Sequence, residues 1–261
     1  MTTATGATGT RIGFGSGWDE RQPVIVLLDT SASMNRPAHD PPIASLNRAL
    51  TRGFDAVRDR DRLRSRVEVC LVAFDSRVRV FDIAAGAFRP PEEADREALF
   101  SPLDGLRPPE LTAGGYTCMV PALRFALDLA RRRRRDLSVR QVPVVRPLIW
   151  LLTDGAPSDE AGARLGAAEI AATAEQLRQA EHDDECVLFV IGVRGADREV
   201  LEVLAPQATH LLEDLDFGRI LDIVFQSSDR TGHLRATEIS DRLRTHAENA
   251  RTLDSLEGDH R

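Results

Sequence analysis

Five oxygen-bearing side chains stand where a hard cation could use them. Asp29, Ser31 and Ser33 form Asp-x-Ser-x-Ser at the end of the apolar run Val24-Ile25-Val26-Leu27-Leu28. Thr117 follows Gly114-Gly115-Tyr116, and Asp154 closes a second apolar run, Leu148-Ile149-Trp150-Leu151-Leu152-Thr153, ahead of Gly155. In an extended segment, positions i, i+2 and i+4 project to the same side. The Asp29 carboxylate and the Ser31 and Ser33 hydroxyls are therefore expected to converge just past a strand end. Oxygen donors of this kind suit a hard cation such as Mg²⁺. Two carboxylates neutralise a divalent cation and the hydroxyls add no charge, so the ion stays electrophilic enough to take a carboxylate from a partner. Taken singly, each group has a plainer role: the serines and Thr117 as turn or helix-cap residues, Asp154-Gly155 as a turn. Their joint occurrence, each after a strand or before a helix, favours the metal.

The elements that must position these groups are legible as periodicity. Short apolar runs bounded by turn formers read as strands buried on both faces, as in a parallel sheet. They occupy Val24–Leu28, Pro147–Thr153 and Cys186–Val193; Val67–Phe74 reads as a further strand and Thr209–Leu212 as a terminal one. Arg77–Ile83 reads as a hairpin partner of the second strand, and 88–109 as a proline-rich loop. Helical spacing runs from Ile43 to Arg62, from the Gly114-Gly115 turn through Ala130, over 160–181 with Asp159 at its start, over 197–204 and over Phe217–Phe225. Strand and helix alternate, which predicts α/β architecture, a doubly wound, mainly parallel sheet with helices on both faces. In such a sheet the five candidates share the carboxyl edge, where open α/β folds hold ligands. Residues 1–21 read as a flexible leader, 22–228 as the domain and 229–261 as a polar tail, helical or partly ordered.

Composition narrows the function. The 261 residues carry a net charge of −7, which argues against a general nucleic-acid or acidic-membrane binder. All 34 basic residues are arginine. Without lysine there is no Schiff-base amine and no Walker A loop, which excludes the usual pyridoxal-phosphate enzymes, P-loop NTPases and ordinary kinases. The bias also fits a GC-rich bacterial genome. Cys70, Cys118 and Cys186 match no metal spacing, and no stretch reads as a membrane span or signal peptide; a reduced, cytoplasmic protein is expected.

Asp29-x-Ser31-x-Ser33, Gly115-Tyr116-Thr117 with Ala122-Leu123, and Thr153-Asp154-Gly155 resemble the metal-ion-dependent adhesion site of von Willebrand factor A domains. The resemblance covers about 22–228. Arg146-Pro147 through Ser158-Asp159, and Pro42-Ile43-Ala44-Ser45-Leu46-Asn47, are similar to the bacterial tellurite-resistance Y-type (TerY-like) branch. The resemblance implies that Asp29, Ser31, Ser33 and Thr117 ligate Mg²⁺ or Mn²⁺, that Asp154 bonds directly or through water, and that a partner's Asp or Glu completes the shell. It also implies one antiparallel edge strand, which suits the Arg77–Ile83 hairpin. Tyr116 departs from the pattern, since many relatives pass directly from Gly to Thr; the Thr-x4-Ala-Leu spacing still points to Thr117. The function implied is a non-enzymatic scaffold binding a protein partner, in a tellurite-resistance-like stress response or a phosphosignalling system with a kinase, phosphatase or Ter-type protein. A subunit serving a MoxR-like AAA ATPase is the alternative. A magnesium phosphohydrolase with Asp29 as nucleophile is weaker, because Ser31 stands where a second Asp is expected and lysine is missing.

Three further features have plainer roles beside functional ones. Arg131–Arg135 closes a helix, where cations oppose the negative end of the dipole; a solvated face is favoured over a nucleic-acid contact. Gly13-Phe14-Gly15-Ser16-Gly17 reads as linker rather than a dinucleotide loop. Asp75, at the end of the second strand, fits either a plain turn or hydrogen-bonded support of the metal loops.

Overall fold

A computed structural model describes residues 20–57, 65–102, 106–107, 109–193, 195–206 and 208–211. The expected leader, the tail, the Phe217–Phe225 helix and the Gly13–Gly17 loop lie outside these residues. Five parallel strands form the centre of the sheet: β1 (Gln22–Asp29), β2 (Val67–Phe74), β6 (Leu148–Thr153), β7 (Val187–Gly192) and β8 (Thr209–Leu211). Two antiparallel strands, β3 (Val78–Asp82) and β4 (Ala87–Arg89), extend one edge, giving the order β4-β3-β2-β1-β6-β7-β8. The two-residue β5 (Ser101–Pro102) also pairs with β2. Hence the antiparallel edge is a β3–β4 hairpin, and the stretch expected to be a structureless loop supplies its outer strand.

Every described residue of β1, β2, β6 and β7 is buried. This is why these strands read as unbroken apolar runs instead of alternating ones. Trp150 on β6 stacks on Phe189 of β7, ring centroids 4.4 Å apart, at the middle of this core. Four helices connect the strands: α1 (Pro42–Val57), α2 (Met119–Val139), α3 (Ala167–His182) and α4 (Arg198–Leu204).

The connections create the site. From β1 the chain crosses through α1 to β2 on one side; from β2 it returns through α2 to β6, on the other side of β1. Right-handed crossovers in opposite directions place their helices on opposite faces and leave a crevice at the carboxyl ends of β1 and β6.

Several boundaries differ from expectation for local reasons. The third long helix begins at Ala167, not at residue 160, because Asp159 closes a turn. Its Oδ1 accepts from the N–H groups of Ala161 and Ala163 (2.9 and 2.8 Å), and Gly162 takes φ +85°. Short polar side chains compete in this way with helix initiation. Likewise α2 begins at Met119 with Cys118 before it, so Thr117 is not its cap. The arginine run lies inside α2, which continues to Val139; Arg132 and Arg135 form the expected solvated face, while Arg131, Arg133 and Arg134 turn to the protein. Arg133 reaches the buried Glu68 through two nitrogens and lies 5.2 Å from the Phe100 ring, while Arg131 pairs with Glu185.

Candidate functional site

Asp29 is the last residue of β1, and Thr153 the last of the neighbouring β6. The Asp29 side chain is fully buried and held at both oxygens. Oδ1 accepts from the Ser31 N–H at 2.8 Å and Oδ2 from the Thr153 hydroxyl at 2.5 Å. The first of these is an Asx turn, and it bends the chain immediately after the strand. Residues Ala32–Asn35 then form a 3₁₀ turn. The expected convergence of Ser31 and Ser33 is present, but strand alternation does not produce it. The turn does, bringing the two hydroxyl oxygens to 2.9 Å. The Ser33 hydroxyl in turn donates to Asp154 Oδ1 at 2.7 Å.

Thr117 arrives from a different part of the chain. Its segment is tied to the first loop by backbone bonds: Gly114 N–H to the Thr30 carbonyl (2.8 Å) and Ala32 N–H to the Gly115 carbonyl (3.0 Å). Gly115 has φ +75°, and a Cβ there would lie 2.7 Å from Ser76 Oγ, so only glycine fits. The position of the Thr117 hydroxyl follows from Gly155, where an added Cβ would lie 3.0 Å from Thr117 Oγ1 and 3.7 Å from Ser33 Oγ. The five predicted residues thus gather at the carboxyl ends of β1 and β6, Asp29, Ser31, Ser33 and Asp154 linked by hydrogen bonds and Thr117 packed so close to Gly155 that a side chain there would crowd it.

Three hydroxyl residues that sequence reasoning did not assign hold this arrangement. Thr153 fixes Asp29, as above. Ser158 Oγ accepts the Thr117 N–H at 3.0 Å while its own N–H donates to the Thr117 carbonyl at 2.9 Å. Ser76 Oγ accepts the Tyr116 N–H at 2.9 Å. Thr153 and Ser158 stood within the motif stretches quoted above without a role assigned to them, and the only signal of Ser76 was nearness to the turn after β2. Asp75 fills both roles considered for it. Its Oδ1 holds the Arg77 N–H, its carbonyl holds the Cys118 N–H, and its Oδ2 meets Arg79 at 2.5 Å beside the Thr30 hydroxyl.

The electrostatics are those of a cation site. Burial pushes the Asp29 carboxyl up to about 6, against the hydrogen bonds from Ser31 and Thr153; the nearby Asp154 charge adds to the rise. Asp154 is also raised, chiefly by burial, with its Ser33 hydrogen bond opposing. Every donor to these carboxylates among the described residues is a hydroxyl or a backbone N–H; no arginine reaches them. Two buried carboxylates without a protein cation are costly unless an ion neutralises them. The donor set and its oxygen chemistry fit a hard divalent metal. Among the described residues no three His, Cys, Asp or Glu side chains cluster, so the third and later donors must be hydroxyls or water.

The family profile of the von Willebrand factor type A domain matches residues 24–226. No curated protein sequence matches the chain. Among solved structures, the pilus adhesin SpaC of Lactobacillus rhamnosus GG is similar at a TM-score of 0.55 and 14% identity, over 81% of this chain and 31% of that one. A von Willebrand factor type A protein of Catenulispora acidiphila is similar at 0.53 and 17% identity, over 80% and 43%. The chain therefore spans less than half the length of either protein, and at these identities the likeness speaks to the fold. No helix of the described residues is long and apolar enough to cross a membrane.

Proposed function

The chain belongs to the von Willebrand factor type A domain family, and from that premise we propose that it is a metal-dependent protein-binding module. One observation carries the reading. Thr117 and Ser33 come together against Gly155, Ser33 bonds Asp154, and the buried Asp29 lies beside them, with no arginine reaching either carboxylate among the described residues. In this reading the Ser31, Ser33 and Thr117 hydroxyls face the ion. Asp29 and Asp154 supply its countercharge, and Asp29 acts through the lone pairs left by Ser31 N–H and Thr153. Magnesium or manganese would supply an electrophilic position for a carboxylate of the partner.

The protein side of the mechanism is positional. The Asx turn at Asp29, the Gly114–Gly115 closure over Thr30–Ala32 and the Ser158 latch on Thr117 set three loops in register before any ion binds. Such preorganisation spares the complex the cost of ordering them. The module is read as non-enzymatic. Asp29 is fully buried with both oxygens engaged, a poor nucleophile for phosphoryl transfer. A cytoplasmic setting and a partner in a tellurite-resistance-like or phosphosignalling system are supported by the residue stretches similar to that branch. Service to a MoxR-like ATPase is the alternative.

Calorimetric titration with Mg²⁺ and Mn²⁺ tests the site. Binding by the wild type, lost in Asp29→Ala and Thr117→Ala variants that still fold, is expected, with a melting temperature that rises with metal. Undiminished binding in Asp29→Ala would refute the assignment.

A further inference from the structure

Tyr116 is 48% exposed, and no other aromatic residue among those described is as open. It is nevertheless fixed on two sides. Its N–H is held by Ser76 Oγ, and its ring lies over Gly162, where an added Cβ would sit 2.7 Å from Cδ1 and 2.8 Å from Cζ. Gly162 belongs to the tight 159–163 turn that Asp159 closes, so the surface beneath the ring is itself rigid. The next residue is Thr117, so one end of this platform is the rim of the metal crevice. Half-exposed aromatics held in place lose little freedom on binding, which is why they serve as anchors at interfaces.

The charge around the ring selects what it holds. Asp159 and Glu160 lie on the turn under Tyr116, next to Ser158, which bonds the Thr117 backbone, and Asp75 precedes Ser76, which holds the Tyr116 N–H. Asp75 is answered by Arg79, and Asp159 by backbone N–H groups. Glu160 is exposed and has no ion-pair partner among the described residues. A ring face with a free carboxylate nearby attracts a cation.

We propose that Tyr116 is a fixed platform for a basic side chain of the partner, taken beside the residue whose carboxylate goes to the metal. The inference rests on the metal-dependent reading above and adds a second contact to it. It defines the recognised segment as one with an acidic residue neighboured by arginine or lysine.

Tyr116 is the only tyrosine in the chain, so incorporation of 3-fluorotyrosine gives a single fluorine NMR resonance at the platform. The full chain, saturated with Mg²⁺, is titrated with two capped pentapeptides, each with a central aspartate, flanked by arginines in one and alanines in the other. The arginine peptide should bind about threefold tighter and shift the resonance, and the alanine peptide should not shift it. Tyr116→Phe should keep the preference, read by calorimetry. Tyr116→Leu should abolish it and leave Mg²⁺ affinity unchanged. Equal affinity for the two peptides, binding of neither, or a preference that survives in Tyr116→Leu overturns the platform. Absence of Mg²⁺ binding in the wild type is a separate result, which removes the metal reading and the platform with it.

Discussion

Replacing Asp29 by asparagine should make the metal-free protein more stable at neutral pH while destroying its metal site. Asp29 is completely buried and its carboxyl is pushed from 3.8 up to about 6. A carboxyl raised in the folded state stays protonated there over a range in which the unfolded chain has already ionised. Between about pH 4 and pH 6 the native state therefore binds more protons, and stability falls as pH rises. Above pH 6 the penalty is complete. Two pH units at about 1.4 kcal/mol each make it on the order of 3 kcal/mol. Asparagine keeps the shape and the acceptor for the Ser31 N–H. Its amide faces Thr153, whose hydroxyl can turn to accept. The assay is urea unfolding in EDTA at pH 5 and pH 7.5, for wild type and Asp29→Asn, and the difference between the two proteins cancels the titrating groups that do not interact with Asp29, leaving Asp29 and its coupling to Asp154. From pH 5 only about one unit of the window remains, so the variant should gain roughly 1.4 kcal/mol on the wild type between the two pH values. Saturating Mg²⁺ at pH 7.5 should recover the loss in the wild type alone. A wild-type-minus-variant difference that does not change with pH would refute the argument that Asp29 is a buried, uncompensated charge.

Three further outcomes follow from the geometry. Gly155→Ala places a methyl 3.0 Å from Thr117 Oγ1, and it should weaken Mg²⁺ binding at least about tenfold by calorimetry, with the far-UV spectrum unchanged. Ser158→Ala removes the acceptor for the Thr117 N–H; it should cost about 1 kcal/mol in urea unfolding and lower metal affinity severalfold, although Ser158 does not border the crevice as a donor. Arg133→Ala strands the buried Glu68 and should destabilise the fold by about 3 kcal/mol. Metal affinity should not change, because the pair sits at the opposite end of β2 from the site.

The strands and the chemistry of the site were legible along the chain. Strands buried on both faces must be continuous apolar runs, so β1, β2, β6 and β7 announced themselves, and a carboxylate at the end of such a run falls on the ligand edge of a parallel sheet. Elements that depend on local competition were less so. Asp159 and Glu160 look like the start of a helix, yet two backbone N–H groups and a glycine with positive φ were available to close a turn instead. The arginine run looked wholly solvent-facing because the partner of Arg133 is not near it in sequence. Glu68 lies 65 residues away on another strand.

The hydrophobic pattern alone was enough to read the sheet and the carboxyl edge on which the five candidate oxygen residues lie, because burial and strand ends are written in it. Tertiary structure alone decided how those donors meet. The Ser31–Ser33 approach comes from an Asx turn followed by a 3₁₀ turn, and the seat of Thr117 from Ser158, 41 residues on. Thr117 and Ser33 pack as closely as they do because Gly155 has no side chain, and the Tyr116 ring lies as it does because Gly162 has none. Hydrogen bonds and close approaches between distant residues depend on distances of tenths of an ångström, and a residue type does not encode them until the backbone has been folded around it.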